Sequence, residues 1–122
     1  MIEFKSQTWG IIPACIEQSK IVAASVLGKK EIKYKRTIPK NTLKIIGIDL
    51  TSIGIFDPSQ KENNGWEILK KVDKDNCYYQ KFVLKDNKLK GAILFGETKS
   101  IPFVNKNINL NVNKEEINKL LE

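Results

Sequence analysis

Few side chains in this sequence can do chemistry. It contains no histidine, which removes the commonest general base and the commonest metal ligand. Its two cysteines, Cys15 and Cys77, stand far apart and outside any C-x-x-C arrangement. Alone they cannot build a zinc or an iron–sulfur site. Cys15 falls near the start of a helical stretch, where a helix end lowers a thiol pKa and favours redox chemistry. A cysteine on an apolar helix face is otherwise a small buried hydrophobe. Both roles stay open, for Cys15 and for Cys77. Asp49 lies within an apolar, strand-like run and reads either as a functional carboxylate or as a group bonding a turn or the backbone. Gly47 and Gly54 lack the spacing and the following helix of a phosphate-binding loop. These residues do not add up to a free-standing active site.

Charge is the next candidate for function. The formal net charge is +7, from 21 Lys and Arg against 14 Asp and Glu. Arg36 is the sole arginine, and the lysines run from Lys5 to Lys119 without clustering. Nucleic-acid readers concentrate their charge and favour the bidentate guanidinium. A solvated lysine surface therefore accounts for the charge, and no nucleic-acid partner is expected. No apolar run is long enough to span a bilayer, so no membrane is expected either. The start of the chain lacks the layout of a signal peptide, which predicts a cytoplasmic protein with free thiols.

The elements that would position these residues follow from periodicity. Residues 13–27 read as a helix, with Pro13 at a position where its missing N–H costs nothing and Gly28 as the stop. Ala14, Ala23, Ala24 and Ser25 would let it press closely on another element. Residues 29–41 form a polar connector. Two β-branched runs follow, 42–48 and 50–56, with Gly47 as a bend or bulge between them. Asp57-Pro58-Ser59 and 62–65 make a polar loop, and 66–72 alternates as a strand. Residues 76–84 and 89–95 are the clearest pair. Asp86-Asn87 makes their tight turn, since both residues tolerate positive φ. Tyr78, Phe82 and Leu84 are predicted to share one face, and Leu89, Ile93 and Phe95 another. The chain reads as irregular from Thr98 through Ile101-Pro102-Phe103. A last helix opens at Asn113, with Glu116 in capping-box position and Ile117, Leu120 and Leu121 on its apolar side. The fold class is α+β: a helix, a linker, an antiparallel sheet of four or five strands, and a terminal helix.

Two stretches carry a resemblance to a known family. Trp9-Gly10-Ile11-Ile12-Pro13-Ala14-Cys15-Ile16-Glu17-Gln18, followed by Ala23-Ala24 and Gly28, resembles the last FAD-domain helix of NADH–rubredoxin-reductase-like enzymes. Thr42-Leu43-Lys44-Ile45-Ile46-Gly47-Ile48-Asp49-Leu50-Thr51-Ser52-Ile53-Gly54 resembles the segment that opens their C-terminal domain. Tyr79-Gln80-Lys81 through Lys90-Gly91-Ala92-Ile93-Leu94-Phe95-Gly96 is similar to that domain's hairpin. Relatives of this kind include NADH oxidases and the flavoprotein part of assimilatory nitrite reductases.

The resemblance implies three parts: 1–29 as the terminal segment and last helix of an FAD domain, 30–41 as a linker, and 42–122 as the C-terminal domain. It implies that the intact parent passes electrons from NAD(P)H through FAD to rubredoxin, oxygen or a nitrite reductase centre. The family's Ala-Gly-Asp motif and dinucleotide fingerprints would lie before Met1, so no FAD or NAD(P)H is expected on this chain alone. By analogy the helix end at Ile12, Pro13 and Ala14 faces the pyrimidine side of the flavin. There its N–H groups would favour the anion of the reduced ring. Trp9 and Phe103 are weaker candidates for walls of that pocket; the alternative makes Trp9, Ile12 and Phe103 ordinary core residues. The partners implied are the missing cofactor domains, a redox acceptor and, through the exposed helix, a second copy. A stand-alone interaction or dimerisation module is the competing function.

Overall fold

The structure, a computed structural model, describes residues 2–4, 7–29, 31–58, 65–96 and 98–122. The chain divides into two compact units, residues 1–39 and 40–122.

In the first unit, β1 (Ile2–Phe4) pairs antiparallel with β2 (Gln7–Trp9), and α1 follows over Ile12–Val26. Pro13 occupies the first turn of α1, as its fixed φ and missing N–H allow. The other end closes on Gly28 at φ +85, with Gly28 N–H donating to Ser25 O and Lys29 N–H to Ala24 O. That pair of bonds is the Schellman closure that a glycine in the left-handed region permits. The stretch read as linker is tied back onto this helix. Thr37 is buried, and its hydroxyl donates to Glu17 Oε2 at 2.6 Å. Since that proton is committed, the 2.7 Å contact with Tyr34 is the phenol donating to Thr37 Oγ1. The phenol oxygen in turn accepts the Thr37 N–H at 3.0 Å. The Tyr34 ring meets Phe4 edge-on, 4.9 Å between centroids.

The second unit is a five-stranded antiparallel sheet in the order β3-β4-β7-β6-β5. Its strands are β3 (Lys40–Ile45), β4 (Ile48–Gly54), β5 (Trp66–Asp73), β6 (Tyr78–Lys85) and β7 (Lys88–Phe95). Helices α2 (Ile101–Asn107) and α3 (Lys114–Leu121) complete it, so the α+β class and the terminal helix stand. Of the loop expected at 57–59 and 62–65, residues 59 and 62–64 lie outside the described residues. The core lies between one sheet face and the helices: Ile53, Phe82, Leu84, Leu89, Ala92 and Leu94 meet Val104, Val112 and Ile117. Asn113 caps α3 by accepting the Glu115 N–H.

Three features depart from the sequence expectation. Asp86-Asn87 does form a two-residue turn, at φ 51 and 59, but so does Ile46-Gly47, at φ 49 and 80 between the paired Ile45 and Ile48. The bend or bulge expected at Gly47 is thus a hairpin turn, hidden because a β-branched residue such as Ile46 disfavours positive φ. Of residues 98–103, expected to be irregular, 101–103 open α2, where Pro102 fits the first turn and Val104 plugs the core.

The faces of β7 also differ. Val83 pairs with Gly91 and Leu84 with Leu89, so Lys90 is one residue too many. That bulge reverses the alternation. Leu89 therefore joins Ala92 and Leu94 in the core, while Ile93 and Phe95 occupy the other side. Beside it the backbones approach so closely that a Cβ on Gly54 would lie 2.2 Å from Lys90 O, and one on Gly91 2.2 Å from the O of Ile55, just past the end of β4.

Candidate functional site

The amino end of α1 is built from its local sequence. Ile11 is extended at φ −111, ψ 134, and it makes no side-chain cap to the helix. Proline removes one N–H, and the first turn carries no acidic residue. The remaining helix N–H groups keep their partial positive charge without a carboxylate of that turn to answer it. Ile12 is 75% exposed and Pro13 is exposed, whereas Ala14 is fully buried. These three are consecutive in one turn. Cys15 is a half-buried free thiol, and Cys77 an exposed one between β5 and β6. The backbone of Trp9 closes β2, and its side chain lies outside the described residues. Phe103 belongs to the other unit, where it packs from α2 against the core.

Along the rest of α1, Ile16, Val22, Val26 and Leu27 are 50–81% exposed. With Ile12 they fall along one stripe of the helix, a larger exposed apolar strip than the scattered side chains of an ordinary surface. Among the described residues no group of three or more His, Cys, Asp or Glu converges as a metal site. No described helix is long and apolar enough to cross a membrane. The β5–β6 turn is held by Asp73, whose carboxylate accepts the N–H groups of Asp75 and Asn76 and the Asn76 side-chain amide. Those bonds, the amide first, hold its pKa below the ordinary value.

Residues 39–111 match the family described as the rubredoxin NAD+ reductase C-terminal domain. The chain belongs to that family. The family segment takes in all five strands of the sheet and α2, and begins at the boundary between the two units. Two curated relatives from Bacillus subtilis (strain 168) are similar over most of this chain. A nitrite reductase [NAD(P)H] is 28% identical over 96 residues, 79% of this chain and 11% of the relative. An assimilatory nitrate reductase electron transfer subunit is 31% identical over 97 residues, 80% of this chain and 12% of the relative. The chain thus spans about an eighth or less of the length of these relatives.

Sequence reasoning missed one assembly of residues. Leu43, Leu50, Phe95, Tyr79 and Val72 come from five strands and line up in a single cross-strand row. The signal is the register, which exists only once the Lys90 bulge and both two-residue turns are known.

Proposed function

We propose that this chain is the C-terminal part of an FAD-dependent NAD(P)H oxidoreductase. Its parent passes electrons from NAD(P)H through FAD to an acceptor such as rubredoxin, oxygen or a nitrite reductase centre, in the cytoplasm. The observation that carries this is the family match across residues 39–111. The open end of α1 supports it. In the parent, the helix end at Ile12, Pro13 and Ala14 faces the electron-rich side of the reduced flavin, where its unpaired N–H groups, of which Pro13 has none, favour that anion by roughly 0.3–1 kcal/mol. The exposed side of α1 lies against the FAD-binding part, which these 122 residues do not supply.

The test is a titration of the purified chain with FAD and with NADH, followed by absorbance and fluorescence. The expected outcome is a colourless protein without NADH oxidation. A yellow chromophore retained near one per chain would overturn the assignment of the cofactor folds to the rest of the parent. The coding sequence ahead of Met1 provides the complementary check, an Ala-Gly-Asp segment in frame being the expected finding.

A further inference from the structure

The stretch between α1 and β3 hangs on one residue. Residues 32–39 are neither helix nor strand, and from Glu31 to Pro39 only Thr37 is buried. Tyr34 and Pro39 are half-buried and the rest are exposed, Ile32 by 50% and Ile38 by 40%. A segment with so little apolar burial is held by directional bonds rather than by a core. Those bonds run in one chain. The Tyr34 phenol donates to Thr37 Oγ1 at 2.7 Å, and the Thr37 hydroxyl donates to Glu17 Oε2 at 2.6 Å. The Thr37 N–H returns to the phenol oxygen at 3.0 Å, which closes a loop around Lys35 and Arg36. Inside that loop Arg36 stands at φ 104, a conformation that an L side chain adopts only under constraint. At the far end of the chain Glu17 is exposed, so water competes there for the carboxylate.

We propose that residues 31–37 are a strap with a latched and a released state, and that Thr37 is the latch that sets the length of tether between the two units. Latched, the strap leaves only Ile38 and Pro39 between the tie and Lys40, where β3 begins. Pro39 fixes its own φ and biases Ile38 to extended backbone, so this remainder is stiff. Released, residues 29–37 join the tether and lengthen its reach by up to roughly 30 Å. The strain at Arg36 favours release, and the charge-assisted bond to Glu17 opposes it. Both terms rest on single side chains, so single substitutions move the balance in either direction.

Trypsin reads the strap directly, because Lys33, Lys35 and Arg36 lie inside it. Thr37→Val keeps the β-branched shape and deletes the hydroxyl at the centre of the chain of bonds. Cleavage after these residues of the full chain is expected to run about tenfold faster in that variant. Tyr34→Phe should give a smaller gain, since the Thr37–Glu17 bond survives it. Arg36→Gly relaxes the positive φ and should slow cleavage after Lys33 and Lys35 by about twofold. Small-angle X-ray scattering should show a longer maximum dimension for Thr37→Val, while the NMR amide resonances of α1 and of the sheet stay in place. Equal cleavage of Thr37→Val and the unaltered chain would overturn the latch, as would unslowed cleavage of Arg36→Gly. Loss of the α1 resonances together with those of the strap would overturn it too, because Thr37 would then hold the fold of the whole unit. Faster cleavage without any change in maximum dimension would overturn its control of the tether.

Discussion

The two units of this chain solve the burial problem differently. The sheet unit closes on itself: among the described residues nine apolar side chains form one core between strands and helices, six of them from β4, β6 and β7. The α1 unit contains one fully buried apolar side chain of its helix, Ala14, and leaves Ile12, Ile16, Val22, Val26 and Leu27 at least half exposed. The contrast teaches where apolar surface is left uncovered. The sheet unit has its own core, while α1 is tied by its Gly28 closure and the Glu17–Thr37–Tyr34 cluster and still leaves apolar side chains exposed.

The contrast can be broken most severely at Ile117, which is fully buried where α3 meets the sheet. Ile117→Ala should cost about 3 kcal/mol in denaturant unfolding, from lost burial and the cavity left behind. The same truncation at the exposed Ile16 should cost a small fraction of that. A comparable loss at both sites would show that the two units share one cooperative transition and that α1 is not the weaker partner.

Glycines sharpen the comparison next. Gly91→Ala drives a methyl into the Ile55 backbone and should lower stability by about 2 kcal/mol. At Gly10 a methyl would meet no atom within 4 Å, so Gly10→Ala should be neutral or slightly stabilising through the unfolded chain. The third effect runs the other way. Ile46→Asn relieves a β-branched residue in the left-handed region and should stabilise the sheet unit by about 1 kcal/mol, read as a higher melting temperature. An unchanged melting temperature would mean that the turn relaxes with isoleucine in place.

The smallest stability effect is expected on the helix surface. Val22→Ser with Val26→Ser should change unfolding free energy by within about 0.5 kcal/mol. These valines are 62% and 81% exposed, and the substitutions should shift light scattering toward monomer if α1 mediates self-association. A chain already monomeric at every concentration would rule out self-association through α1.

Much of this was legible in the sequence, for identifiable reasons. Asp86-Asn87 announced its turn because both residues accept positive φ, and Pro13 with Gly28 bracketed α1 because each fits one helix end only. Ile46-Gly47 stayed hidden because its first residue argues against the conformation it adopts. The faces of β7 were misassigned because alternation counts residues, and Lys90 adds one that pairs with nothing. Helix α2 has only seven residues and one buried side chain, Val104, too little periodicity to separate from loop. At the candidate site, Ile12, Pro13 and Ala14 carry no distinctive side-chain chemistry. What they offer is backbone at a helix end, so the family resemblance singled them out and residue type did not.

The strand order leaves β3 and β5 at the two margins of the sheet, each with a ladder of backbone groups that no further strand of the described residues satisfies. Such margins are templates on which further strands, and eventually fibrils, can grow. Lys40 and Lys44 stand on one margin and Lys70 and Lys71 on the other. An incoming copy would bring its own lysines to these margins, and like charges there oppose stacking at neutral pH. Part of the positive charge then acts as a guard against polymerisation. Acetylating these four side chains would remove that guard while leaving the hydrophobic core unaltered.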